Sequence, residues 1–107
     1  MEPFTIYDLE KRVQTRAKTE PGTSYTRMLV DKGVTHCAKK LGEEAVEVAI
    51  AAIAEDRARL VAETADLLYH LLVVLEVRGV SLAEVEAALG ERTQQTGLDE
   101  KAARKGG

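Results

Sequence analysis

Two runs of carboxylates lie on either side of a break at Ala54-Glu55-Asp56, and both sit inside helical patterns. The first is Glu43-Glu44-x-x-Glu47 and the second is Glu63-x-x-Asp66. Around the first, Leu41, Ala45, Val46, Val48, Ala49, Ile50, Ala52 and Ile53 predict a helix from Thr35 to about Ala54. After the break, Asp56 is placed to cap a helix running to about Arg78, with Gly79 as its stop. Two antiparallel helices joined by so short a link set the clusters face to face. At about 100° per residue, Glu47 falls about 40° and Glu44 about 100° from Glu43; Asp66 falls about −60° and His70 about −20° from Glu63. Each cluster therefore projects from one side of its helix.

The remaining elements are helical too. Thr5 and Asp8 form a capping box before a stripe of Ile6, Leu9 and Val13. Pro21-Gly22 breaks the chain, Ser24 caps a short helix carrying Met28 and Leu29, and Gly33 suits its C-terminal end. Ser81 and Glu84 form a second capping box, for a helix carrying Leu82, Val85 and Leu89 that Gly97 is expected to end. The polar tail from Leu98 is expected to be mobile. Period-2 alternation is absent, so no strand competes. Gly42 inside the third helix costs ~1 kcal/mol against Ala, which points to close approach by another backbone or a ligand, or to simple packing. The stretch Leu67 to Val77 is apolar almost all round, as in a helix buried on every side. A short chain has few elements to cover it, so part of it is expected to pack on a second subunit. The expected fold is all-α: one domain over residues 1–107, a bundle of about five helices completed by dimerisation.

Composition sets the outer bounds. The 107 residues are 45% hydrophobic, enough for a core, and lack Trp, so that core is aliphatic. Fifteen basic against 18 acidic residues give a net charge of −3, which offers no bulk basic surface and argues against a nucleic-acid partner. No apolar run approaches the ~20 residues of a membrane span, and no secretory signal is expected at Met1-Glu2-Pro3. The single Cys37 cannot form an internal disulfide and fits a reducing cytoplasm; it reads as a small buried residue rather than a nucleophile. Neither a GxxxxGK[ST] phosphate loop nor a GxGxxG turn is present.

Solvated surface charge is the ordinary state of Glu, but two features set these carboxylates apart. Glu43 and Glu47 are like charges at i,i+4, and none of the five acids has Lys or Arg at i+4. Glu63 and Asp66 also lead straight into the most apolar helix, where ionised carboxylates need partners. A hard divalent cation, Mg²⁺ or Mn²⁺, answers both features, and such an ion usually shares its shell with substrate phosphates. His36, Cys37 and His70 do not make a zinc set. Lys39 and Lys40, one turn before Glu43, either pair with Glu43 and Glu44 on the helix surface or bind an anionic group. His70 reads first as a satisfied core residue.

The pattern EExxE followed by ExxD resembles the all-α nucleoside triphosphate pyrophosphohydrolases, the MazG-like superfamily. Three further stretches narrow the likeness: SYT at Ser24–Thr26, KKLGEEAVE at Lys39–Glu47 and ADLLYHLLVVL at Ala65–Leu75. Together they resemble the phosphoribosyl-ATP pyrophosphohydrolase family of histidine biosynthesis, from about Phe4 to about Lys105. The resemblance implies Mg²⁺-dependent hydrolysis of phosphoribosyl-ATP to phosphoribosyl-AMP and pyrophosphate, in a homodimer. It implies Glu44, Glu47, Glu63 and Asp66 as metal ligands, and leaves Glu43 as a further ligand, a supporting group or a base. Ser24, Arg27, Lys39 and Lys40 are the expected substrate contacts. Arg27 follows SYT directly where the family often carries a small residue before the basic one, which rotates its charge by about 100° on a helix. The nearest alternative is a housecleaning pyrophosphohydrolase acting on free dNTPs. A second, of another class, is a non-enzymatic helical dimerisation module with an acidic face.

Overall fold

The computed structural model describes residues 2–94 and contains, among them, five α-helices and no strand. These are α1 (Ile6–Ala17), α2 (Tyr25–Lys32), α3 (Val34–Ala54), α4 (Arg57–Arg78) and α5 (Leu82–Thr93). The helix α5 is described to Thr93, and Gly97 and the tail beyond it lie outside the described residues. No helix among the described residues is long and apolar enough to cross a membrane.

The helix starts follow the capping chemistry. Thr5 Oγ1 accepts from Asp8 N at 3.2 Å while Asp8 Oδ2 accepts from Thr5 N at 2.9 Å, and Ser81 with Glu84 repeats the box at α5. Ser24 Oγ accepts from Arg27 N at 3.0 Å, and Asp56 Oδ1 accepts from Arg59 N at 2.9 Å. Where Thr35 is expected to open α3, the helix begins one residue earlier, at Val34, with no side-chain cap. Gly33 ends α2 and starts α3 at once, with φ 93°, a backbone conformation that only glycine adopts without strain.

The core gathers Val13, Leu29, Cys37, Leu72, Val73 and Leu82, with Ile6, Leu9, Val30, Tyr69, Val74, Leu75 and Val77 packed around it. Its centre is the C-terminal half of α4, clasped by α1, α2 and α3. Cys37 is buried as expected, and its thiol donates to the Leu29 carbonyl at 3.1 Å. The first turn of α5 is tied in by Leu82, whose backbone N donates to Glu10 Oε2 at 2.7 Å.

Within the one chain, His70, Leu72 and Val73 are buried and the other residues from Leu67 to Val77 are half-buried, so the chain itself covers much of this stretch and leaves part of its surface open. The most exposed apolar residues include Ile53, Val46 and Ile50 along α3 and Val61 near the start of α4, with Phe4 ahead of α1 and Leu89 on α5 exposed to a similar degree. For α3 the reason is the placement of α1 and α2, which cover α4 beyond Tyr69 and leave the outer side of α3 bare. Gly42 is not explained by a close neighbour in this chain, because an added Cβ would meet nothing within 4 Å. Gly42→Ala is therefore expected to stabilise the fold by ~1 kcal/mol in urea denaturation. A loss of stability instead would mean that a body outside the chain needs that space.

Candidate active site

The link between α3 and α4 consists of Glu55 and Asp56 alone. Glu55 is extended and Asp56 caps α4, so the chain reverses at once and the two helices run side by side. Counted from Glu55, Glu47 stands eight residues back and Glu63 eight forward (55 − 8, 55 + 8), and Glu44 and Asp66 stand eleven away (55 − 11, 55 + 11). The hairpin therefore brings each member of one cluster to the level of a member of the other.

The ligand atoms of Glu44, Glu63 and Asp66 all lie within 4.8 Å of one another. Glu63 is only 5% exposed, Glu44 is half-buried and Asp66 reaches solvent. Glu63 Oε1 accepts from Arg59 Nη2 at 2.8 Å, while Glu63 Oε2 and Glu44 Oε2 are buried with no hydrogen-bond partner. Glu47 faces Glu63. With both carboxylates ionised neither can donate; a protonated Glu63 would hydrogen-bond Glu47. That bond, burial and repulsion from Glu47 raise the Glu63 pKa above its ordinary value, against the pull of Arg59. Buried acceptor-only oxygens without donors are costly. A hard cation with oxygen preference fits these residues, since it binds carboxylate oxygens of the kind left without donors here.

Glu43 is not drawn into this group; it is exposed, and its charge is felt by His70. His70 is buried one turn beyond Asp66, edge-on to Tyr69 (ring centroids 5.1 Å apart) and to Tyr25 (6.4 Å). Burial lowers its pKa, opposed by Glu44 and aided by Lys40. Lys40 is thus half-buried beside the site, whereas Lys39 is exposed. Neither the Lys39–Glu43 nor the Lys40–Glu44 surface pair closes among the ion pairs of the described residues.

Ser24 and Arg27 build the corner between α1 and α2. Ser24 Oγ donates to the Arg16 carbonyl at 3.2 Å, and Arg27 bonds Asp31 Oδ1 at 2.8 Å and the Thr19 carbonyl at 2.9 Å. That corner sets Tyr25 against Tyr69, rings stacked at 6.3 Å, while Thr26 Oγ1 and the Tyr69 hydroxyl share a hydrogen bond of 2.6 Å. The SYT and ADLLYHLL stretches therefore meet beside the carboxylates.

The sequence of the phosphoribosyl-ATP pyrophosphohydrolase family matches residues 6–93, a span that contains the whole carboxylate group. The chain belongs to the phosphoribosyl-ATP pyrophosphohydrolase family. A curated relative from Bradyrhizobium diazoefficiens, phosphoribosyl-ATP pyrophosphatase 1, is 61% identical over 105 residues, covering 98% of this chain and 99% of its own. Phosphoribosyl-ATP pyrophosphatases of Rhizobium meliloti and Rhodopseudomonas palustris are 58% and 57% identical, each covering 98% of both chains.

One partner in this family member's site escapes a reading that looks for cations at i+4. The cation that answers Glu63 is Arg59, at i−4. The reverse spacing was the available signal. Tyr25 and Tyr69 likewise flank His70 without having been singled out.

Proposed function

We propose that this chain hydrolyses phosphoribosyl-ATP to phosphoribosyl-AMP and pyrophosphate, the histidine-biosynthesis step, in a reducing cytoplasm. The convergence of Glu44, Glu63 and Asp66 around two orphaned buried oxygens, in a chain 61% identical to a phosphoribosyl-ATP pyrophosphatase, carries this reading. Glu44, Glu47, Glu63 and Asp66 would hold Mg²⁺, or Mn²⁺ in its place. When bound, that ion supplies charge neutralisation between carboxylates and phosphates and polarises the phosphoryl oxygens.

The chain's own residues supply position and countercharge. Water adds at the α–β linkage and pyrophosphate leaves, so no protein nucleophile is required, in keeping with the buried thiol of Cys37. Lys40 is assigned to meet charge on the phosphates, with Lys39 at the rim. Ser24 and Arg27 belong to this reading as the corner that holds Tyr25 beside His70, on the side from which substrate would approach. Glu43 is left as a supporting charge outside the ligand group.

The bare apolar residues Val46, Ile50, Ile53 and Val61 support a homodimer in which α3 meets a second copy. The deciding assay is pyrophosphate release with Mg²⁺ from phosphoribosyl-ATP, ATP and a dNTP panel. Strong preference for phosphoribosyl-ATP is expected. Preference for a dNTP would move the chain to the housecleaning activity, and no release from folded protein would overturn the enzymatic reading.

A further inference from the structure

We infer that Arg59 is a positioning residue: its bond to one oxygen of Glu63 turns the other oxygen into the metal site. Arg59 Nη2 donates to Glu63 Oε1 at 2.8 Å, which leaves Glu63 Oε2 buried and unpartnered in a carboxylate that lies within 4.8 Å of Glu44 and Asp66. The two oxygens of a carboxylate share one plane, so a donor on one fixes the direction of the other. Ligating carboxylates gain their orientation from such outer hydrogen bonds.

Arg59 is itself held from two sides. Its backbone N is bound by the Asp56 cap at 2.9 Å, and its guanidinium also lies 3.7 Å from Glu55 Oε1. The corner that reverses the chain therefore also sets the arginine, one helical turn ahead of Glu63. Without Arg59, Glu63 would face only like charges, Glu44, Glu47 and Asp66, and repulsion would swing it away from the site.

This inference rests on the metal site proposed above. Simple electrostatics predicts the opposite sign for its test: a guanidinium beside a dication repels it, so removing the arginine should tighten binding. Mn²⁺ alone is titrated by calorimetry into the metal-stripped full chain, as wild type, Arg59→Gln and Arg59→Lys. Arg59→Gln is expected to weaken Mn²⁺ binding about tenfold, with helical CD unchanged. Arg59→Lys should recover part of the loss, since an ammonium reaches the same oxygen without the fixed fork of arginine. In turnover, the Mn²⁺ concentration for half-activation should rise while kcat at saturating metal stays near wild type. Binding by Arg59→Gln that is as tight as wild type or tighter overturns the inference alone. A wild-type chain that binds no Mn²⁺ overturns the metal site and the inference together.

Discussion

Glu63→Gln is expected to cut pyrophosphate release at least about 100-fold, beyond the usual effect of losing a supporting group, while making the metal-free protein more stable at neutral pH. The two effects share one cause. Ionised Glu63 is buried, faces Glu47 and has one oxygen without a donor. Glutamine keeps the shape, still accepts from Arg59 and adds an amide that can donate to Glu47, but it is a poor ligand for a hard cation. The pH sign follows from the raised pKa of Glu63. In the window above the ordinary carboxylate pKa the folded metal-free state binds more protons than the unfolded one. Stability therefore falls as pH rises through that window, and stays at the lower level at neutral pH. The variant lacks this fall, so its metal-free melting temperature should exceed wild type at neutral pH and converge with it in acid. Turnover within a few-fold of wild type, or a less stable metal-free variant, would remove Glu63 from the proposed role.

Ile50→Glu combined with Ile53→Glu is expected to halve the mass measured by light scattering. Ile53 is 87% exposed and Ile50 52% exposed in the single chain, so neither change opens the core. Burying a large aliphatic side chain is worth roughly 1.5–3 kcal/mol, and two copies of a symmetric patch would each lose that contribution twice. Added carboxylates facing their own copies also repel. A variant that keeps the dimer mass would place the second copy elsewhere, and a wild-type chain that runs as a monomer would end the homodimer reading.

The helical framework was legible because its signals are local. Thr5 with Asp8, Ser24, Asp56 and Ser81 with Glu84 each satisfy backbone donors within their own first turn, so a short window of sequence suffices. The facing of the two carboxylate runs was legible too, since one short link and the helical repeat determine it. What escaped depends on packing between distant elements. Leu67–Val77 looks the same in sequence whatever share of it the rest of the chain covers and whatever share is left open. Arg59 was missed because a favourable order for helix charge pairs draws attention downstream of an acid, whereas a buried carboxylate accepts a donor from either direction. Arg27 is a local charge whose partners, Asp31 and the Thr19 carbonyl, are set by the corner rather than by the SYT pattern.

The symmetric count about Glu55 makes the two arms of the hairpin a gauge of length. Side chains along them can be exchanged one for another and still leave the acids level with each other. An inserted or deleted residue cannot be absorbed in the same way. A single insertion between Glu47 and Glu55, or between Glu55 and Glu63, shifts one pair by about 1.5 Å and turns it by about 100°. The carboxylates on that arm would then point away from those on the other. Between Glu44 and Asp66 the chain tolerates changes of spelling far better than changes of frame.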